Sequence, residues 1–198
     1  MTFFGIYAPR EGHDIDVRQD FFDQLHNLHE EYSRGGSVGY CGDFNTKIRS
    51  RTLDEQRFFG PFLFNPPLED IPDPNPPPPT PNRDLLCSFC SVTDTVVHNT
   101  FQDVELKKKV TFFDRRLADW RPSAELDPRW HRELDLLVVS RQLLDKVLSL
   151  QSCPEIRIGS TTHHLQLVRL RIPLHKRSKQ RGSVRRRIPW DIWQKREV

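Results

Sequence analysis

Two groups of polar residues in this sequence have types and spacings that suit chemistry on a phosphate ester. The first is Gly42-Asp43-Phe44-Asn45, which follows an apolar stretch. Side chains two positions apart in an extended chain point the same way, so Asp43 and Asn45 can converge on one point. The carboxylate can orient or deprotonate a water, and the amide can donate to a phosphoryl oxygen or bind Mg²⁺. The alternative is a turn in which both side chains cap their own backbone.

The second group pairs Asp135 with a histidine. Asp135 lies between Leu134 and Leu136, and a buried carboxylate is costly without a hydrogen-bond partner. The segment Thr161-Thr162-His163-His164-Leu165 supplies a candidate imidazole. An Asp–His pair beside a second carboxylate would orient the imidazole against a phosphate, as a base or as an electrophile. The alternative is a core aspartate bonded elsewhere and a histidine pair on the surface.

Alternating strands and helices must position these groups. Hydrophobic periodicity predicts a first helix that buries a face made of Phe21, Leu25, Leu28 and Tyr32, with His26 and His29 toward solvent. Asp16 and Ser140 are the predicted caps of the first and last helices. The strands are predicted over 2–8, 37–43, 95–99, 110–113, 133–139 and 164–172, and the helices over 17–32, 83–90 and 141–150. This order predicts a layered α/β or α+β domain.

The composition of the 198 residues narrows the possible protein classes. The length suits one domain, or one domain plus a tail. Hydrophobic residues make up 36%, which is below the usual share for a compact domain, and charged residues make up 29%. No apolar run is long enough to cross a bilayer and no secretory signal is visible, so we expect an intracellular protein without membrane contact. Four cysteines do not make a disulfide framework. Cys87-Ser88-Phe89-Cys90 has zinc-like spacing but no second pair, so helix packing explains it better.

Two segments depart from the composition of the rest. Residues 65–82 contain nine prolines and are predicted to form an extended loop, with a polyproline ligand for an aromatic groove as the alternative. Residues 175–187 contain seven Lys or Arg and no acid, although the net charge of the whole chain is only +3. Such a tail can bind phosphates without sequence preference, or it can be a solvated linker. The candidate nucleic-acid contacts are Lys176, Arg177, Lys179, Arg181, Arg185, Arg186 and Arg187.

The order of the motifs resembles the endonuclease/exonuclease/phosphatase superfamily. Within it the chain is most similar to the apurinic-endonuclease-like domain of non-LTR retrotransposons. The resemblance spans about residues 3 to 172, and its helix motif "Asn-Gly…Leu…Phe-Cys" is matched by residues 82–90. The other motifs, in chain order, are Tyr7-Ala8-Pro9, Gly42-Asp43-Phe44-Asn45, Asn99-Thr100-Phe101, Leu134-Asp135 and Thr162-His163-His164-Leu165.

The resemblance implies a fold, a domain division and a set of site residues. The fold would be α+β, a partial four-layer α/β/β/α sandwich of the DNase I type that lacks its first strands. Residues 1–173 would form the domain and residues 174–198 a basic tail. Tyr7 would face the scissile phosphate, and Asp43 would act on the attacking water or the leaving group with Asn45 beside it. Asp135 would orient His163, which would contact the phosphoryl oxygen.

The same resemblance implies partners. Mg²⁺ would be held by Asp43 and Asn45, and the substrate would be DNA. A reverse transcriptase domain would follow in the parent polyprotein, and a working endonuclease of this kind would be nuclear.

Three departures from the family pattern predict weak or absent activity. Thr162 stands where the family has an aspartate directly before the catalytic histidine. The chain begins after the strands that supply a family Asn and a metal-binding Glu. Glu133 places a further negative charge beside Asp135. Without the early strands, a sheet edge would be exposed, so we expect marginal stability or aggregation.

Three functions therefore remain open on the sequence. The first is a Mg²⁺-dependent DNA phosphodiesterase derived from a retrotransposon, truncated, and weakly active or inactive. The second is a non-catalytic nucleic-acid-binding remnant that uses the basic tail. The third is a proline-rich interaction protein.

Overall fold

A computed structural model describes residues 1–64, 81–114, 126, 131–156 and 161–172. The strands in this part of the chain are β1 (Thr2–Tyr7), β2 (Val38–Asp43), β3 (Thr95–Val97), β4 (Phe112–Phe113), β5 (His131–Arg132), β6 (Asp135–Ser140), β7 (Val147–Cys153) and β8 (Leu165–Leu170). The helices are α1 (Ile15–Ser33) and α2 (Asn82–Thr93), and 3₁₀ turns lie at Asp54–Arg57, His98–Thr100, Leu106–Lys108 and Arg141–Lys146. None of the described helices is long and apolar enough to cross a membrane.

The central sheet of the described residues has the strand order β1-β2-β6-β3. Strand β1 runs parallel to β2, whereas β6 runs antiparallel to both β2 and β3. Tyr40 of β2 pairs in register with Val138 of β6, and the Tyr40 ring contacts His29 of α1 and Phe89 of α2. This face of the sheet therefore packs on the two helices. The alternate residues of β6, including Asp135, lie on the opposite face because strand side chains alternate.

Helix α1 buries a face that matches the predicted one only in part: Leu25 is buried and Phe21 packs against the core. Its buried residues are Arg18, Phe22, Leu25 and His29, whereas Leu28 and Tyr32 of the predicted face are exposed. The prediction that His29 faces solvent is wrong, because Nδ1 of His29 lies 3.0 Å from the hydroxyl of Tyr40 in the neighbouring strand. Burial lowers the pKa of His29, which favours the neutral ring in this contact.

The predicted caps of the first and last helices are also wrong. Helix α1 begins at Ile15, one residue before Asp16, and no side chain caps it. Ser140 does not cap a helix either. Its hydroxyl accepts a hydrogen bond from the backbone N–H of Val38 at 2.9 Å and donates to the carbonyl of Val38 at 3.1 Å. Ser140 thus joins the end of β6 to the start of β2.

The predicted helix over 141–150 is wrong. The chain forms a 3₁₀ turn over Arg141–Lys146 and then β7, which pairs antiparallel with β8. The apolar spacing within 143–150 suits a helix or a strand, and β8 supplies backbone partners that favour the strand. In β8 the residues packed against the core are Val168 and Leu170, whereas Leu165 and Leu167 are exposed.

Two predicted segments lie largely outside the described residues. Of the proline-rich loop 65–82, only Pro81 and Asn82 are described; Pro81 precedes α2 and Asn82 is its first residue. The tail 174–198, including all seven of its predicted basic contacts, lies outside the described residues, as does the end of the predicted domain at residue 173. The cysteines of the zinc-like spacing both lie on α2, where Cys90 is buried and Cys87 lies 3.5 Å from the carboxylate of Glu55.

Replacing Gly42 by Ala is expected to destabilise the sheet beside the candidate site. Gly42 has φ +138°, and a Cβ there would lie 2.2 Å from the carbonyl oxygen of Ile6 in β1. The strained backbone and the displaced strand together predict a loss of about 2 kcal/mol or more in the free energy of unfolding. Denaturant unfolding measures this. Gly5→Ala is the matched control, because a Cβ at Gly5 meets nothing within 4 Å; equal losses in the two variants would contradict the prediction.

Candidate active site

One row of side chains crosses three strands of the central sheet at the ends of those strands. Tyr7 at the end of β1 pairs in register with Asp43 at the end of β2, and Asp43 pairs with Asp135 at the start of β6. Residues in register point to the same face, so the three side chains are neighbours. Asp43 is buried, Asp135 is partly buried, and 68% of Tyr7 is exposed. The row therefore has its exposed end at Tyr7 and its most buried member, Asp43, in the middle.

Asp43 and Asn45 form a tight turn that is tied to the end of β1. Oδ1 of Asp43 accepts the backbone N–H of Asn45 at 2.8 Å, and Asn45 adopts the left-handed conformation with φ +46°. Nδ2 of Asn45 donates to the carbonyl of Ala8 at 2.7 Å, and the N–H of Ala8 donates to the carbonyl of Asp43 at 2.8 Å. The self-capping turn considered from the sequence is therefore present for Asp43 only, because the Asn45 side chain bonds the end of β1 and not its own backbone. Oδ2 of Asp43 faces the rest of the site.

His163 lies between the two carboxylates. Its Nδ1 is 2.8 Å from Oδ2 of Asp135, and its Nε2 is 3.6 Å from Oδ2 of Asp43. The His163 backbone forms a bridge with Phe112, whose ring contacts the imidazole edge-on. Nδ1–H donates to the Asp135 carboxylate in this arrangement, which directs Nε2 toward Asp43. The structure thus brings together the aspartates and the histidine from three separate parts of the sequence.

The neighbouring His164 belongs to the core. It is buried, its Nδ1 lies 3.1 Å from the carbonyl of Val110, and burial lowers its pKa. Its backbone N–H donates to the carbonyl of Thr111. Adjacent residues of an extended segment point to opposite sides, so only His163 faces the carboxylates. Thr162, at the position of the family aspartate, contributes its backbone carbonyl as the acceptor for the N–H of Phe113.

The charges of the site shift the protonation of its groups in a defined direction. The hydrogen bond to Asp135 raises the pKa of His163, against a lowering by burial, and the charges of Asp135 and Asp43 raise it further. Burial raises the pKa of Asp43, the hydrogen bond from the Asn45 N–H lowers it, and the charge of Asp135 raises it. Arg10 lies close enough to lower both pKa values. The imidazolium is therefore favoured between two carboxylates.

Glu133, which the sequence places two residues before Asp135, has its charge offset by neighbouring groups. Its carboxylate is buried, accepts a hydrogen bond from Nδ2 of Asn99 at 3.1 Å and is attracted by the ammonium of Lys109. Burial raises the pKa of Glu133 to about 7, although Lys109 opposes this. Nζ of Lys109 donates to the carbonyls of Phe62 and Asn99. The sequence did not reveal that Lys109 is buried, because its neighbours Lys107 and Lys108 suggest a solvent-exposed lysine-rich turn.

The described residues fit a magnesium ion poorly. Asp43 has one carboxylate oxygen already bonded to the Asn45 N–H, and the amide nitrogen of Asn45 is bonded to Ala8, so each offers one oxygen. Mg²⁺ requires six ligands in a near-octahedral arrangement. Over the ranges that the structure describes, no group of three or more His, Cys, Asp or Glu side chains is placed to hold a metal. No catalytic step is assigned to a metal on these residues.

The fold of this chain is similar to that of several solved structures. No protein-family model and no curated protein match the chain. An AP endonuclease from Archaeoglobus fulgidus is 13% identical with a TM-score of 0.50, and 86% of this chain covers 61% of that one. A 3′ phosphatase from Neisseria bound to a product DNA hairpin is 13% identical with a TM-score of 0.55 and the same coverages. An AP endonuclease from Leishmania major is 15% identical with a TM-score of 0.52, and 84% of this chain covers 49% of it.

The chain shares part of the AP endonuclease fold. It spans between about half and 61% of the length of these three structures. The predicted α+β class is confirmed as a mixed α+β arrangement that matches part of the DNase I-like fold. Of the predicted superfamily membership, the comparisons show structural similarity to AP endonucleases and a 3′ phosphatase. The retrotransposon origin and the roles of the site residues stay predictions.

Proposed function

We propose that this chain carries the phosphodiester-binding and hydrolysing site of a DNA endonuclease, with weak turnover. The observation that carries the proposal is the position of His163, with Nδ1 against Asp135 and Nε2 facing Asp43. A histidine steered by one aspartate and facing a second can bind a phosphate and serve acid–base chemistry on it. The shared part of the AP endonuclease fold supports the same class of reaction.

The chemistry assigns a separate task to each side chain. The His163 imidazolium donates its Nε2–H to a non-bridging phosphoryl oxygen, while Asp135 holds the ring through Nδ1–H. Asp43 accepts a proton from water as the water oxygen bonds to phosphorus, and its raised pKa makes it a stronger base than an exposed aspartate. The sugar oxygen then leaves and takes up a proton from solvent. Tyr7 is exposed at the rim, and the resemblance implies that it would face the scissile phosphate.

DNA is the proposed substrate class, and a retrotransposon is the proposed origin. The Neisseria 3′ phosphatase is bound to a product DNA hairpin, which supports DNA as the substrate. The ordered motifs from Tyr7-Ala8-Pro9 to His163 support the retrotransposon origin, with a reverse transcriptase domain as the partner in the parent polyprotein. The genomic sequence around the reading frame tests the origin: an in-frame reverse transcriptase after residue 198 would support it.

Binding without turnover is the second candidate function. It is favoured by the few oxygen ligands that the described residues offer to Mg²⁺, which the resemblance implies as the cofactor. In this case the basic residues of 175–187 would hold the phosphate backbone, and the affinity would fall steeply with salt. The Mg²⁺ dependence of DNA cleavage is therefore part of what the experiment must measure.

A plasmid-nicking assay on the full chain, with and without Mg²⁺, tests the proposal. We expect slow nicking that falls about 100-fold or more in Asp43→Ala, since the base for the attacking water is lost. Asp54→Ala is the matched control, because Asp54 is an exposed carboxylate in the Asp54–Arg57 turn. Nicking that is absent, or unchanged in Asp43→Ala, would contradict the enzyme. DNA binding that persists without nicking and disappears on deletion of 175–187 would establish the binding function.

A further inference from the structure

Asn82 connects the segment after β1 to the Asp43–Asn45 turn, and these two segments are called the site turns. It is the first residue of α2, and only 1% of its surface is exposed. Its Nδ2 donates to the carbonyl of Pro9 at 2.8 Å and to the carbonyl of Asn45 at 3.1 Å. Pro9 follows the end of β1, and Asn45 follows the end of β2. One buried amide group therefore joins the segment after Tyr7 to the turn that contains Asp43.

A buried arginine holds Asn82 in this orientation. Nη1 of Arg18, on α1, donates to Oδ1 of Asn82 at 3.3 Å. Arg18 is itself 3% exposed, and its Nε donates to the carbonyl of His13 at 3.1 Å. Because Arg18 uses the oxygen of the amide, the NH₂ group of Asn82 must face the carbonyls of Pro9 and Asn45. The orientation of the amide is thus fixed from both sides.

The side chain of Asn82 serves the site turns and not its own helix. Pro81 precedes α2 and accepts the N–H of Asp84, and no side chain caps the helix. The site turns are also bonded to each other through Ala8. Asn45 has a left-handed backbone, which costs free energy in any residue with a Cβ and needs support from its surroundings. The carbonyl of this strained residue is one of the two that Asn82 binds.

We propose that Asn82 is a positioning residue, which holds the Asp43–Asn45 turn against the segment after β1 so that Asp43 faces His163. The side chain of Asn82 forms no hydrogen bond with Asp43, Asp135 or His163. It therefore acts on them only through the two segments that it joins. Its effect on catalysis rests on the proposed function, whereas its effect on the Asn45 turn does not. Loss of the amide donors would release the turn and misplace the Asp43 carboxylate, and misplacement by about 1 Å can cost about 100-fold in rate.

Asn82→Asp tests this role with little change in shape. The aspartate keeps an acceptor for Arg18 but loses both donors to the carbonyls of Pro9 and Asn45. Amide hydrogen exchange of Asn45, whose N–H is bonded to Asp43, is expected to rise at least about 10-fold, while the amides in the last turns of α2 stay unchanged. In the nicking assay, kcat is expected to fall by about 10- to 100-fold with little change in KM.

Thr93→Ala is the matched control at the other end of α2. It removes a buried hydroxyl that bonds the carbonyl of Phe89 and the hydroxyl of Thr95, far along the helix from the site turns. We expect it to destabilise the fold without raising exchange at Asn45 relative to the α2 amides. Unchanged Asn45 exchange in Asn82→Asp, or the same rise in both variants, would overturn the positioning role. If the wild-type chain does not nick DNA, the exchange result still decides the role of Asn82.

Discussion

Replacing Asp135 by Asn is expected to lower DNA cleavage by about 100-fold or more and to lower the pKa of His163. The hydrogen bond and the charge of Asp135 are the main causes that raise this pKa, and the hydrogen bond is the larger. Without the carboxylate, burial of the imidazole is less opposed, so the ring is neutral at a lower pH. A neutral ring cannot donate from both nitrogens, and the phosphate loses its charged partner.

The pKa of His163 can be followed by NMR titration of its ring proton, independently of any cleavage. A folded-state pKa above the unfolded value means that the Asp135–His163 pair stabilises the fold below about pH 6.5 and that this stabilisation is lost as the pH rises through the folded pKa. The stabilisation that the pair gives at low pH should be smaller in Asp135→Asn. Asp145→Asn, at an exposed position in the Arg141–Lys146 turn, should leave the pKa of His163 and the pH dependence of the folding stability unchanged. A His163 pKa that does not fall in Asp135→Asn would show that the pair is not formed in solution.

Replacing Lys109 by Met is expected to destabilise the fold by about 3–5 kcal/mol at pH 8. Lys109 is buried, its ammonium attracts the buried carboxylate of Glu133, and it bonds two backbone carbonyls. Removing this buried cation leaves the buried carboxylate of Glu133 without the charge that offsets it and leaves two carbonyls without their donor, which is among the most costly single changes. Burial already raises the pKa of Glu133 to about 7, and loss of the ammonium should raise it further.

The destabilisation by Lys109→Met should depend on pH with a defined sign. The folded-state pKa of Glu133 lies above its unfolded value, so the folded state binds more protons and is favoured at low pH. At pH 5 the carboxyl is protonated in the folded variant and its burial costs less, so the loss should be smaller than at pH 8. Urea unfolding at the two pH values measures this. Lys146→Met, at an exposed position, should change stability by no more than about 0.5 kcal/mol; an equal loss at pH 5 and pH 8 in Lys109→Met would contradict the role of Glu133.

The sequence predicted the parts of the site that depend on local spacing. Asp43 ends one apolar strand with Asn45 two residues later, and Asp135 begins another, so both positions lie at strand ends as the apolar patterns indicate. Register then places Asp43 opposite Asp135. The choice between His163 and His164 came from the family resemblance, since adjacent histidines are equivalent in composition. The structure distinguishes them by the bond of His164 to Val110 and the bond of His163 to Asp135.

The parts that the sequence missed depend on partners distant along the chain. His29 is buried because the hydroxyl of Tyr40 is within reach, and nothing near His29 in the sequence reveals this. Residues 147–150 form a strand because β8 pairs with them, although their spacing also suits a helix. Lys109 bonds carbonyls of irregular backbone at Phe62 and Asn99, and Asn82 bonds those at Pro9 and Asn45. Every residue has a backbone carbonyl, so the residue types in an irregular segment do not show which carbonyl will accept a side-chain hydrogen bond.

The comparisons extend the sequence argument only at the level of the fold. The sequence identities of 13–15% support a shared architecture with AP endonucleases and a 3′ phosphatase over part of their length. The DNA substrate and the retrotransposon origin are proposals that rest on the motifs and on His163. The resemblance alone implies a Mg²⁺ requirement, and the described residues fit that ion poorly. The predicted tendency to aggregate is a separate prediction, which the oligomeric state of the purified chain will test.

The most direct test of the central claim is a chemical-shift titration of the full chain with a short DNA hairpin at about 150 mM salt, which weakens non-specific contacts. We expect saturable shifts at the ring of His163 and at the backbone amides of Tyr7 and Asn45, with smaller shifts in Asp135→Asn. Shifts confined to the tail beyond residue 173, with His163 and Asn45 unmoved at saturation, would contradict this expectation and would show that phosphate is bound elsewhere than at the end of this sheet.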